Sequence, residues 1–129
     1  MSKSHLFKIT LHLARTQDYP EGSTQHGYSF VAPLKNDGRI DADLWRSQPQ
    51  ACIVRRFWGD EHPKHGRLLH RPGGANGATW VFDYDARTRA DDESGFRFAD
   101  HRFAPGEYVS IRDPDDDMRT FRVAKVDPA

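Results

Sequence analysis

The sequence predicts a mainly β fold, either a partly open antiparallel barrel or a sandwich of about seven or eight short strands, with one short helix near 41–48. Two observations carry this prediction: several segments alternate apolar and polar residues with a period of two, and turns rich in Gly and Pro separate them. A barrel is favoured because closure removes exposed strand edges. At 129 residues, we expect a single β-rich domain spanning 1–129.

The clearest element is a closing hairpin, in which segments 107–112 and 119–124 both alternate and an aspartate-rich turn lies at 113–117. Successive side chains of a strand point to opposite sides of the sheet, so one face of the hairpin is wholly apolar. The residues that share this face are Val109, Ile111, Phe121 and Val123.

Further strands are predicted along the rest of the chain, at 5–14, 25–34, 51–58, 65–71 and 78–84, with a short extended stretch at 96–98 and 102–103. Segment 51–54 is apolar on both faces, which predicts an interior position for the start of that strand. Residues 72–77 are typical of a hairpin loop, and 85–95 of a charged loop.

Residues 41–48 form the best helix candidate. Asp41 is suited to cap the N-terminus, and Asp43 complements the helix dipole in the first turn. Pro49 disfavours a helical conformation at the residue before it. A helix of about two turns needs tertiary packing to persist, and Leu44 and Trp45 are the expected anchors.

Charge composition bears on the class of partner. Lys and Arg number 19, as do Asp and Glu, and this balance argues against a strong overall attraction to nucleic acid or to an anionic membrane. The charges are unevenly distributed, with a net of +4 over residues 1–82 and −4 over 83–129. No apolar run approaches the ~20 residues that a membrane-spanning helix needs, so no membrane partner is expected. The single cysteine, Cys52, fits a reducing compartment, and we expect a cytoplasmic protein.

The candidate binding residues lie in a basic and aromatic segment, in which arginines next to aromatic rings are suited to phosphates and stacked bases. They are Arg55, Arg56, Trp58, Arg67, His70 and Arg71. The period of two places Arg55 and Arg56 on opposite faces, so at most about three of the arginines share one patch. A protein partner or self-association is therefore favoured over nucleic acid.

No metal or cofactor site is predicted. His62, His65 and His70 are close in sequence but lack a recognisable ligand spacing. The aspartates of 113–117 resemble the start of a calcium loop, but Met118 and Ala124 stand where such a loop needs glycine and glutamate, so the run is interpreted as a turn.

No catalytic residue is assigned either, and Cys52, in an apolar run, is interpreted as an inert buried thiol. These observations favour a small, soluble, non-enzymatic binding or interaction module. Two alternatives stay open. One is a small enzyme or accessory subunit that uses a histidine, His12 or His70, in a barrel mouth beside a carboxylate. The other is a nucleic-acid-binding barrel.

Overall fold

The chain folds into a β-barrel in a computed structural model that describes residues 5–71, 79–88, 90–115 and 117–129. Its strands are β1 (Leu6–Leu13), β2 (Ser23–Pro33), β3 (Ile53–Trp58), β4 (Lys64–Arg71), β5 (Thr79–Asp83), β6 (Glu93–Phe96), β7 (Tyr108–Arg112) and β8 (Met118–Pro128). A helix, α1 (Ala42–Ser47), and a 3-10 turn at Pro49–Ala51 lie between β2 and β3.

Each strand pairs antiparallel with the strand before it, and β8 pairs with β1 to close the barrel. This confirms the predicted mainly β class and selects a barrel over a sandwich. The barrel is closed rather than partly open: along the β1–β8 seam, Lys8 pairs with Asp127 and Leu13 with Phe121.

Aromatic side chains fill much of the barrel interior, which in an eight-stranded barrel is just wide enough for side chains. The buried rings are Phe30, Phe82, Phe98, Phe103 and Phe121. Four of them, Phe30, Phe82, Phe98 and Phe103, contact one another edge to face, tilted or stacked; the Phe30 and Phe82 centroids, for example, lie 5.2 Å apart. Phe121 packs on Tyr28 and Trp58 instead. Gly95 makes room for one of them, since a Cβ there would lie 2.4 Å from the Phe98 ring. The apolar face predicted for the closing hairpin is buried here, which confirms it.

The predicted helix is present, with Asp41 as its N-cap. The Asp41 carboxylate accepts hydrogen bonds from the backbone N–H groups of Asp43 and Leu44. Trp45 anchors the helix, since its Nε1 donates to the Leu68 carbonyl at 2.8 Å and its ring meets Trp80 edge to face. The helix therefore packs at the barrel end where β2 ends and β3 begins.

Three predictions differ from the structure or fall outside it. Strand β6 begins at Glu93, inside the predicted charged loop, because the Glu93 side chain points into the barrel and is buried there. The interior position predicted for the start of β3 is wrong for Ile53, which faces outward and is 55% exposed. The predicted loop at 72–77 lies outside the described residues.

Within the ranges that the structure describes, no helix combines the length and apolar character needed to span a membrane.

Candidate functional site

The barrel end where β3 ends and β4 begins carries a group of inward-facing polar and aromatic side chains, here called the polar mouth. It consists of Arg56, Trp58, Tyr84, Glu93 and Arg119. The period of two places the β3 members on the same side as the buried Val54. Arg119 likewise shares a face with Phe121. The mouth therefore forms the outermost layer of the same inward rows that build the core.

A buried ion pair lies at the centre of the mouth. Arg56 Nε is 3.5 Å from Glu93 Oε2, and the two side chains are 13% and 5% exposed. The Tyr84 hydroxyl donates to Glu93 Oε1 at 2.7 Å. Arg56 Nη1 is also 3.4 Å from the carboxylate of Glu61, on the loop between β3 and β4. Both contacts of Arg56 are long for hydrogen bonds, and within the described residues its buried Nε has no acceptor.

Trp58 is partly buried and packs beside this ion pair. Two guanidinium carbons approach its ring, Arg56 Cζ at 4.5 Å and Arg119 Cζ at 5.4 Å from the centroid. Such cation–π contacts hold guanidinium groups flat against an indole. The His26 ring meets Trp58 edge to face at 4.9 Å. The mouth is thus a cationic and aromatic surface above a closed apolar core.

The turn after β7 holds Arg119 in place. Arg119 Nη1 pairs with Asp113 Oδ2, while Asp113 Oδ1 accepts the backbone N–H groups of Asp115 and Asp117. This confirms the interpretation of the aspartate run as a turn. Burial would raise the pKa of Asp113, but the hydrogen bonds from Arg119 and the turn amides outweigh it and hold the pKa below its usual range.

The phenols of the mouth stay protonated at neutral pH. Burial raises the pKa of Tyr84 far above its usual range, and the negative charge of Glu93 raises it further. The pKa of Tyr28, just below in the barrel, is raised for the same two reasons. Burial alone would lower the pKa of Arg56, but Tyr28 and Glu93 outweigh it, so Arg56 stays a cation. Arg56 therefore stays a donor in the mouth, and Tyr84 stays protonated as the donor to Glu93.

The structure brings together two of the six predicted binding residues, Arg56 and Trp58. His70 also points inward, but at the other end of the barrel, where its ring stacks on Trp80 at 3.9 Å. Arg55 and Arg67 are exposed on the outer face. Arg71, also on the outer face, pairs with two aspartates.

Three residues of the mouth were not singled out from the sequence. Two had a usable signal: Tyr84 continues the inward row of Trp80 and Phe82, and Arg119 lies two residues before Phe121. Glu93 had no such signal, because a single glutamate in a charged segment is expected to be exposed to solvent.

The histidines do not converge. His65 lies on the outer face opposite Arg55, whereas His70 faces inward. His12 also faces outward and packs edge to face on Phe57 at 6.3 Å. Within the residues described, neither His12 nor His70 has a carboxylate at hydrogen-bond distance, so the enzyme alternative gains no support from them.

A second polar cluster lies on the outer face of β5. Asp83, Asp91 and Asp92 bring one carboxylate oxygen each within 4.8 Å of one another, a set of ligands that could hold a metal ion. Arg71 already supplies a positive charge there, at 3.1 Å from Asp83 and 3.0 Å from Asp92. Burial raises the pKa of Asp92 to about 6, and the hydrogen bond to Asp83 adds to this while Arg71 opposes it.

Because the pKa of Asp92 is raised, its contribution to the free energy of unfolding should fall as the pH rises. The folded state retains the Asp92 proton up to about pH 6, whereas the unfolded chain releases it near pH 4, so Asp92 stabilises the fold at low pH and that contribution is lost as the pH rises through 4–6. Asp92→Asn should abolish this part of the profile and raise the free energy of unfolding at pH 7 by about 1–3 kcal/mol. Urea unfolding at several pH values measures it. Asp127→Asn, on exposed β8, is the control, and identical profiles for the two variants would contradict the prediction.

An open pocket of about 250 Å³ lies elsewhere, beside the segment that joins β2 to α1. Its lining includes Lys35 and Asp41, but the Asp41 carboxylate already caps α1. The polar mouth, with an unsatisfied buried donor, is therefore the stronger candidate site.

No protein-family model, curated protein or solved structure matches this chain.

Proposed function

We propose that this protein is a non-enzymatic interaction module whose polar mouth binds an acidic side chain or a terminal carboxylate of a protein partner. The observation that carries the proposal is the buried Arg56 Nε, which has no hydrogen-bond acceptor in the described part of the chain. Leaving a buried donor unsatisfied costs about 1–3 kcal/mol, more when it is charged. A carboxylate that makes a shorter, charge-assisted hydrogen bond to the outer nitrogen Nη1, which Glu61 now contacts at 3.4 Å, offsets part of that cost.

Among the three carboxylates near the arginines of the mouth, one is suited to be displaced. The side chains of Glu93 and Asp113 are only 5% and 13% exposed and have further hydrogen bonds. Glu61 is 63% exposed and contacts Arg56 through one 3.4 Å interaction. Because Glu61 is exposed and the contact is long, we expect this ion pair to contribute at most about 1 kcal/mol. Glu61 is therefore positioned as an internal competitor whose place an incoming carboxylate takes, beside the Trp58 ring.

The partner class and location follow from the same features. Guanidinium groups over an indole are typical of protein–protein contact sites, where Trp and Arg are enriched. We therefore favour a protein partner or a second copy of the chain.

Cys52 is fully buried, and burial raises its pKa to about 11, which suits a thiol that stays reduced. We therefore propose a cytoplasmic location.

The experiment uses two blocked peptides that differ only in having two glutamates or two glutamines beside a phenylalanine. The protein has three indole N–H groups, on Trp45, Trp58 and Trp80. In a ¹⁵N-correlated NMR titration, the glutamate peptide should shift the Trp58 signal and leave those of the buried Trp80 and of Trp45 in place. Equal shifts with the glutamine peptide would contradict the proposal.

Two variants should change the affinity in opposite directions. Arg56→Gln should weaken binding of the glutamate peptide by about 10-fold or more, because a charged hydrogen bond is lost. Glu61→Gln should tighten it about 2- to 5-fold, because a competitor of up to about 1 kcal/mol is removed. Asp60→Asn makes the same charge change next to Glu61, at a residue for which the described structure shows no partner, and should leave the affinity unchanged.

The exposed position of Glu61 keeps the test decisive even if Arg56→Gln does not fold. A Glu61→Gln variant that binds no more tightly than Asp60→Asn would overturn the displacement mechanism.

A further inference from the structure

The outward residues of five adjacent strands, β8, β1, β2, β3 and β4, form a second surface, independent of the mouth. Its cations without an ion pair, here called the basic face, are Lys8, Arg55, Arg67, Arg122 and Lys125. Arg71, also outward on β4, is paired with Asp83 and Asp92. The register places one residue from each strand in a row, namely Lys125, Thr10, Ser29, Arg55 and His65. At about 4.8 Å between strands, this row is about 19 Å long.

The five cations of this face have no ion pair with another described residue, although Asp127 lies opposite Lys8 and Asp83 opposite Arg67 in the register. Other arginines of the protein are paired, among them Arg39, Arg46, Arg56, Arg71, Arg87, Arg102 and Arg119. Asp127 is the one acidic residue at the outward positions of these five strands, all of which are fully described. The whole chain has equal numbers of acidic and basic residues, but the outward positions of these five strands carry more cations than anions.

The pKa of His12, which lies on this face, is lowered in part by the neighbouring cations. Burial lowers its pKa, and Arg122 and Lys125 lower it further by repelling the imidazolium form. Arg122 lies opposite His12 in the register, and Lys125 lies opposite the outward neighbour Thr10. Arg122 and Lys125 are therefore both close to His12, and an anion bound beside this histidine would interact with both cations.

Apolar side chains lie among the cations of this face, and nucleobases could stack on them. Phe57 is half-buried on this face, with Arg55 Cζ 5.6 Å from its ring centroid and the His12 ring at its edge. Ile53 is 55% exposed on the same strand. Aromatic rings on which bases stack, beside cations that contact the backbone, are the usual elements of single-strand binding surfaces. The outside of a barrel is convex and carries no helix here to enter a duplex groove, so a flexible strand fits it better than a duplex.

From this combination, we infer that the basic face binds single-stranded nucleic acid, with phosphates on its Lys and Arg side chains and a base on Phe57.

The test is fluorescence anisotropy with a labelled oligodeoxythymidine of about 12 nucleotides over a series of NaCl concentrations. The logarithm of the affinity should fall with the logarithm of the salt concentration, with a slope of about −0.7 for each phosphate contacted, or about −3 if most of the face is engaged. Arg55→Glu with Arg122→Glu should weaken binding at least about 10-fold and flatten the slope by about one unit or more. Phe57→Leu should weaken it about 5-fold or more through lost stacking.

The matched control is Arg46→Glu with Arg102→Glu, which changes the net charge by the same amount at exposed arginines off this face and should alter the affinity less than about 2-fold. In the wild-type protein, the oligonucleotide should also raise the pKa of His12, followed by NMR.

Four results would each overturn the inference: no binding at about 25 mM salt; an equal loss in the control variant; a duplex of the same length binding as tightly as the single strand; or poly-glutamate of matched charge binding as tightly as the oligonucleotide, which would indicate an acidic protein partner instead.

Discussion

Replacing Phe82 by alanine is expected to lower the free energy of unfolding by about 3–5 kcal/mol. Phe82 is 2% exposed, and its ring centroid lies 5.1 Å from that of Tyr28 and 5.9 Å from that of Phe98. The strands around it are hydrogen-bonded on both sides, so the barrel cannot contract into the space that the ring leaves. The cost is therefore the lost apolar burial together with a persistent cavity.

Urea unfolding followed by circular dichroism measures this loss, with Tyr108→Ala as the matched control. Tyr108 is also an aromatic strand residue, but it faces outward and is 55% exposed, so its replacement should cost less than about 1 kcal/mol. Similar losses in the two variants would contradict an interior filled by interlocking rings.

Arg56→Leu is expected to cost about 3–5 kcal/mol, because it leaves a buried carboxylate without its counter-charge. Glu93 is 5% exposed and would retain, among the described contacts of its carboxylate, the Tyr84 hydroxyl. One neutral hydrogen bond does not replace the lost electrostatic interaction in a buried site.

The double variant Arg56→Leu with Glu93→Leu should recover at least half of that loss, since an apolar pair of similar size leaves no uncompensated charge. A double-mutant cycle on unfolding free energies isolates this coupling. Arg46→Leu serves as the control, because the Arg46–Asp43 pair is exposed and should contribute less than about 1 kcal/mol. Simple additivity of the two single losses would show that the two side chains do not form an ion pair in solution.

The barrel was predictable because each strand has one face in a single common core. The inward residues of β7 and of β8 as far as Val123 alternate with outward ones, and the same parity correctly separates Arg55 from Arg56. Beyond Val123 a β-bulge shifts the period, so that Lys125 faces outward as Arg122 does. A sequence pattern of this kind identifies the two faces of a strand without any knowledge of its neighbours.

What could not be predicted depends on contacts distant in sequence. Glu93 is an inward residue because Arg56 and Tyr84 meet it inside the barrel, and neither is near it in the chain. Ile53 is exposed although its neighbours in sequence are apolar, because nothing in the described structure covers that side of β3. Arg71 belongs to an aspartate cluster only once the segment after β5 returns to the outer face. The composition of the polar mouth and of the basic face is a property of the closed sheet rather than of any one segment.

The seam between β1 and β8 also governs how the barrel is assembled. Leu13 pairs with Phe121 and Lys8 with Asp127, so closure joins residues more than 100 positions apart. Contacts of such long sequence separation are entropically costly to form and slow folding. A nascent chain that has not yet released β8 from the ribosome leaves the free edges of β1 and β7 open to other chains. Until β8 pairs with both strands, these edges are therefore the places at which association with other chains competes with closure.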